Sequence, residues 1–156
     1  MVLNLESLLA RIGLCDRKET VVFTNGCFDI IHAGHVYYLS RAKLLGDILV
    51  VGMNSDRSVR RIKGPKRPIL PQDMRAEVLS SIRYVDYVVV FDEDTPENLI
   101  RAIRPDILVK GGDWDLENIV GREFVESYGG KVLTIPFKHS ISTSSIIERI
   151  VKSYCD

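Results

Sequence analysis

Apolar residues along this chain alternate between short unbroken runs and longer stretches with one apolar side. TVVFTN at 20–25, DILVVGMN at 47–54, YVDYVVVF at 84–91, DILVK at 106–110 and KVLTIP at 131–136 are rich in β-branched residues and bounded by turn formers. That is the pattern of strands buried on both faces. Between the first two, GHVYYLSRAKLLG at 34–46 places Val36, Leu39, Ala42 and Leu45 at helical spacing and ends on a glycine suited to a C-cap. PQDMRAEVLSSIR at 71–83, TPENLIRAIRP at 95–105, EFVESYG at 123–129 and STSSIIERIVKSY at 142–154 read as further helices. Pro71 and Pro96 fit first-turn positions, and Thr95 and Ser142 offer hydroxyl caps. Leu3, Leu5, Leu8, Leu9 and Ile12 mark one face of a short amphipathic helix at the start. DRSVRRIKGPKRP at 56–68 is basic and broken by Gly64-Pro65, so it reads as a loop rather than a helix.

Regular strand–helix alternation without repeats or a linker predicts an α/β architecture: one Rossmann-like, doubly wound domain over residues 1–156, with a five-stranded parallel sheet. Such sheets bind ligands beyond the carboxyl ends of their strands, where the strand order reverses. The segments at that edge are 25–35, 54–67, 110–114 and the turn before Ser142.

Composition narrows the class of partner. With 156 residues, 46% hydrophobic and 27% charged, the chain can bury one core without staples and is too apolar for disorder. Lys+Arg and Asp+Glu both number 21, giving zero formal net charge, which argues against a general nucleic-acid binder but leaves a local basic site open. No stretch approaches the roughly 20 apolar residues that span a bilayer, and the N-terminus lacks the marks of a signal peptide. Cys15, Cys27 and Cys155 have no metal-ligand spacing and read as thiols of a reducing compartment. The expectation is a cytoplasmic protein with small-molecule partners, without nucleic acid or membrane.

Chemistry concentrates at the predicted ligand edge. In NGCFDIIHAGH at 25–35, His32 and His35 flank Gly34 at the start of a helix, where free N–H groups favour an anion and glycine permits close approach. Two imidazoles at this spacing can donate to one cluster of phosphate oxygens. Metal ligation is the competing possibility, but no third ligand follows at a usual spacing. Asp29 could bind an acceptor or orient the histidine-bearing turn, and Cys27 beside it reads as a packing residue. Arg57, Arg60, Arg61, Lys63, Lys66 and Arg67 crowd one segment; it is either a solvated face or a basic loop that closes on phosphates. The acids, such as Asp92-Glu93-Asp94, are expected elsewhere. Ser142-Thr143-Ser144-Ser145 can cap the last helix and offer hydroxyls to a phosphate at once. Lys110-Gly111-Gly112-Asp113-Trp114 can lie against a flat ligand; Trp114 could stack on a ring or simply pack, and Asp113 could cap, hold a ribose hydroxyl or orient a cation.

His32-Ala33-Gly34-His35 resembles the His-x-Gly-His signature of a nucleotidyltransferase superfamily. TNGCFDIIHAGHVYYL, GDILVVGMNSD, KGPKRP, IRYVDYVVVFDEDTP, PDILVKGGDW and ISTSSIIERI together resemble the adenylyltransferase domain of bacterial ADP-heptose synthesis, over residues 20–152. The resemblance implies catalytic roles for His32 and His35. It implies nucleotide contacts from Asn25, Gly26, Cys27, Phe28, Gly34, Lys110, Gly112, Asp113, Trp114, Ser142, Thr143 and Ser144. Phosphate or acceptor contacts fall to Asp29, Asn54, Asp56, Lys63, Arg67 and Arg75. No metal ligand set is expected in the protein; Mg²⁺ would come with the phosphates of ATP.

The implied reaction transfers AMP from ATP to D-glycero-D-manno-heptose 1-phosphate and releases pyrophosphate. The domain is often fused to a sugar kinase; a stand-alone enzyme, commonly a homodimer serving lipopolysaccharide synthesis, is the expectation here. Glycerol-phosphate cytidylyltransferases carry Arg-Thr-Glu-Gly where this chain has Phe137-Lys138-His139-Ser140, which disfavours CTP and glycerol phosphate. A cytidylyltransferase, a coenzyme adenylyltransferase and a catalytically silent nucleotide-binding module remain the rivals.

Overall fold

In the computed structural model, which describes residues 1–13, 17–112 and 115–155, the five expected strands form one parallel sheet, joined by a sixth. The chain runs β1 (Val2–Leu3), α1 (Leu5–Ile12), β2 (Val21–Gly26), α2 (Ala33–Lys43), β3 (Ile48–Asn54), α3 (Asp56–Lys63) and α4 (Gln72–Ser80). It continues β4 (Tyr87–Phe91), α5 (Glu97–Ile103), β5 (Ile107–Gly111), a 3₁₀ turn (Leu116–Asn118), α6 (Arg122–Ser127), β6 (Lys131–Ile135) and α7 (Thr143–Tyr154). The sheet order is β1-β4-β3-β2-β5-β6, parallel throughout. The expected five strands are corrected to six: β1 is too short to show a period, and it adds to the edge by pairing Val2 and Leu3 with Val88 and Val89.

Alternation along the strands sorts the core into two layers. Val21, Phe23 and Val50 face one cluster with Leu8, Ile100, Ile103 and Val125. Val22, Leu49 and Val51 face the other with Leu39, Ala42 and Leu79. Both faces are therefore covered, as continuous apolar strands require. From β2 the chain winds outward through β3 to β4, then returns to lay β5 on the other side of β2. The order reverses between β2 and β5, and their carboxyl ends, Asn25 and Lys110, open a crevice.

The second correction concerns residues 56–63, expected as a loop and found as α3. Ser55 caps this helix by accepting from Ser58 N at 3.1 Å, and Gly64 closes it. Buried Val59 anchors it, and Arg and Lys are good helix formers. The acids expected apart from these cations instead lie against them. Arg61 Nε meets Asp94 Oδ1 at 2.6 Å, and Arg57 pairs with Asp92. Two of the six cations in the segment are thereby paired locally.

Candidate active site

Leaving β2, the chain turns sharply through Phe28 and Ile30, both at positive φ (46° and 26°), before His32 caps α2. Such angles are costly for non-glycine residues and persist only where neighbours enforce them. Asp29, between the two, does the enforcing. Its carboxylate is buried and accepts from Arg67 Nε at 2.7 Å, Ile69 N at 2.8 Å and Leu70 N at 3.0 Å. Its carbonyl accepts from Thr143 Oγ1 at 3.3 Å. Burial would raise the Asp29 pKa, but the two N–H groups and the Arg67 guanidinium outweigh it and hold the carboxyl below its ordinary value. One residue, through its carboxylate and its carbonyl, thus ties the β2–α2 turn, the segment after α3 and the start of α7 together.

His32 and His35 stack with ring centroids 3.9 Å apart and planes inclined by 27°. A Cβ on Gly34 would stand 3.0 Å from the His32 ring and 3.3 Å from Ile141, so glycine is what lets the ring fold back over the helix start. The Nδ1 atoms of both histidines are sealed from solvent without a hydrogen-bond partner among the described residues. Desolvation lowers the His32 pKa; desolvation, then repulsion from His32, lowers that of His35 to about 4. At neutral pH the pair is uncharged, and its unsatisfied nitrogens call for a polar ligand.

Across the crevice, the Lys110 amine hydrogen-bonds Asn25 Oδ1, bridging the ends of β5 and β2. Burial pushes its pKa down to about 8, so it is a cation held with little solvation and ready to gain from an anion. Lys63 and Arg67 complete the basic wall. The last wall is the N-terminus of α7, where Ser142 and Ser145 form a reciprocal capping box: Ser142 Oγ accepts from Ser145 N at 3.1 Å, and Ser145 Oγ from Ser142 N at 3.0 Å. Capping thus engages the first and fourth hydroxyls of the motif, while Thr143 and Ser144 line the crevice between them.

The crevice is an open cleft of about 480 Å³, a size suited to a nucleotide-sized ligand. Of the residues expected from sequence, it brings together Asn25, Gly26, Cys27, Phe28 and Asp29 with His32, Gly34 and His35. Asn54, Lys63, Arg67, Lys110, Ser142, Thr143 and Ser144 close it. Gly112 sits just behind the rim, beneath Phe137. Asp113 and Trp114 lie outside the described residues.

Arg75 and Asp56 do not line the cleft. The Arg75 guanidinium is buried and bonds the carbonyls of Cys27 (2.5 Å), Asn54 (3.0 Å) and Leu70 (3.1 Å), with Asp56 Oδ1 at 2.7 Å. It braces the floor from behind. Burial raises the Cys27 thiol pKa against the pull of Lys63, Arg75 and Arg67, which leaves it a poor nucleophile.

Gly111 lines the cleft with its Lys110-Gly112 segment, and Tyr38, Ile62, Asp94, Phe137 and Ile141 line it beyond the residues that the sequence marks. Tyr38 was findable, one helical turn beyond His35. Its hydroxyl bonds Thr24 Oγ1 at 2.6 Å and the Val109 carbonyl at 3.0 Å, joining β2 to β5 under the site. Phe137 had a signal too, as an apolar residue just past a strand end at the ligand edge.

Residues 23–149 match the family model described as cytidylyltransferase-like. The chain is 59% identical over 155 residues to the bifunctional protein HldE of Geobacter sulfurreducens, covering 98% of this chain and 31% of that protein. It is 56% identical over 151 residues to the bifunctional protein HldE of Trichlorobacter lovleyi, covering 96% of this chain and 31% of that one. The chain therefore spans less than a third of the length of these curated relatives. Among solved structures, the lipopolysaccharide core biosynthesis protein from Thermoplasma volcanium GSS1 superposes with a TM-score of 0.64 at 30% identity, over 79% of this chain and 99% of that one. Pantoate-beta-alanine ligase from Francisella tularensis, at 14% identity and TM-score 0.65 over 99% of this chain and 77% of its own, shares the fold.

Proposed function

Because the chain belongs to the cytidylyltransferase-like family, we propose that it transfers AMP from ATP to D-glycero-D-manno-heptose 1-phosphate, giving ADP-heptose and pyrophosphate. The observation that carries this reading is the uncharged, stacked His32–His35 pair facing the hydroxyl-lined start of α7 across one cleft. The identity to HldE proteins and the likeness to a lipopolysaccharide core biosynthesis protein support the acceptor.

The reaction needs no covalent intermediate. An oxygen of the acceptor phosphate attacks the α-phosphorus of ATP, the bond to the bridging oxygen breaks, and pyrophosphate leaves with the electron pair. A phosphate monoester already bears the attacking lone pair, so no strong general base is required. Catalysis is positioning and charge stabilisation. His32 and His35 donate to the α-phosphate and bridging oxygens; Thr143, Ser144, Lys63 and Arg67 hold the departing pyrophosphate. Lys110 and Asn25 flank the nucleotide between β2 and β5. The cleft carboxylates Asp29 and Asp94 are committed to Arg67 and Arg61, and no three His, Cys, Asp or Glu side chains converge on a metal site among the described residues. Mg²⁺ therefore fits as an ion carried by the triphosphate and water.

A cytoplasmic homodimer belongs to the same reading. No helix of the described residues is long and apolar enough to cross a membrane. The apolar residues that α7 leaves exposed, Ile150, Val151 and Tyr154, suit coverage by a second copy.

The test is a pyrophosphate-release panel of four nucleotides against sugar and polyol phosphates with Mg²⁺. Release from ATP with heptose 1-phosphate alone is expected; release from CTP with glycerol phosphate overturns the assignment in favour of a cytidylyltransferase. Nucleotide affinity should also weaken as pH rises through about 8, because the Lys110 amine loses its proton there. In Lys110→Arg, which stays charged, isothermal titration from pH 7 to 9 should give a flat profile.

A further inference from the structure

Phe137 is 68% exposed, yet it is not loose. Its ring lies so close on the Gly111-Gly112 peptide that a Cβ on Gly112 would stand 2.5 Å from Phe137 Cε2, and one on Gly111 3.2 Å from Cε1. Gly112 also adopts φ +93°, and its N–H donates to the Ile135 carbonyl at 2.8 Å, fixing the end of β5 to the end of β6. The two residues after Phe137 are held by α2: Lys138 Nζ lies 5.4 Å over the Tyr37 ring, and His139 meets that ring edge-on at 6.1 Å. A large apolar ring is thus mounted at the mouth of a nucleotide-sized cleft while its neighbours on both sides are pinned.

The cleft offers two kinds of surface. His32, His35, Lys63, Arg67 and the α7 hydroxyls are polar, whereas Phe137 lays an apolar ring over the Gly111-Gly112 end of β5. A nucleotide likewise joins an anionic part to a flat aromatic one. We infer that Phe137 is the stacking platform for the nucleotide base and a determinant of preference for purine over pyrimidine nucleotides. The inference rests on the nucleotidyl-transfer reading above. A purine offers two fused rings to the platform and a pyrimidine one, so loss of the ring costs ATP more than CTP.

Equilibrium binding of ATP, CTP and inorganic triphosphate to the wild type, Phe137→Ala, Phe137→Leu and Phe137→Trp tests this. Base stacking on an aromatic side chain predicts that Phe137→Ala weakens ATP by about tenfold or more, weakens CTP less, and leaves triphosphate unchanged. Phe137→Trp should retain ATP affinity and Phe137→Leu should not, which separates stacking from bulk. Unchanged ATP affinity in Phe137→Ala, or equal losses for ATP and triphosphate, would overturn the inference. A wild type that binds ATP with this pattern but releases no pyrophosphate with heptose 1-phosphate would remove the acceptor assignment and leave the platform standing. A wild type that binds neither nucleotide overturns both.

Discussion

Replacing His35 with alanine is expected to lower kcat by about two to three decades, the usual loss for one preorganised donor to developing negative charge. The effect should fall on kcat rather than on ATP affinity, because the proposed reading spreads triphosphate binding over Lys63, Arg67 and the α7 start. His32→Ala should behave alike, and the double variant should lose little more than either single one, since a stacked pair acts as a unit. Single-turnover pyrophosphate release separates chemistry from binding; losses that multiply in the double variant would show two independent donors. The pair also gives a pH signature. His35 titrates near 4 in the folded protein and near 6.5 when unfolded, so the unfolded chain binds more protons between those values. Stability contributed by this group is full above about pH 6.5 and falls as the pH drops toward 4. Alanine at 35 removes that acid-side loss, which urea titrations at pH 5 and 7 would detect.

Arg75→Met is expected to act on the fold first. The side chain is fully buried and serves three carbonyls and Asp56. Removing the guanidinium leaves those acceptors unsatisfied and a carboxylate without its partner, a cost of about 3–5 kcal/mol, or a fall in Tm of about 10 °C for a chain of this size. Two of the three carbonyls belong to Cys27 and Asn54, both in the cleft wall, so activity should decline together with stability. An unchanged melting temperature with a raised KM for ATP would mean instead that Arg75 reaches substrate, as the family resemblance implies.

That contrast shows where reading the chain reaches its limit. The five long strands are visible because burial on both faces makes them continuously apolar, and the sheet edge that binds ligand follows from their alternation with helices. The histidines, the Ser-Thr motif and the basic segment are legible because each sits at a strand end. Arg75 is not, because a cation in an amphipathic helix looks the same whether its partners are solvent, phosphate or backbone carbonyls. The secondary structure of 56–63 was hidden by the Gly64-Pro65 break that follows it, although Ser55 supplied a cap and Val59 an anchor. Asp94 lies 33 residues from Arg61 in sequence, and only the pairing of β3 with β4 brings Asp92 and Asp94 beside α3. Phe137 is marked in the sequence only as an apolar residue just past a strand end; its seat over the glycines of another strand is not local information.

Asp29 spans 38 residues to Arg67 and 114 to Thr143. Contacts that distant in sequence form late, after the intervening loops have closed. On the proposed reading, a nucleotide that needs all three walls at once binds only the completed fold, so ATP is expected to raise the melting temperature by mass action.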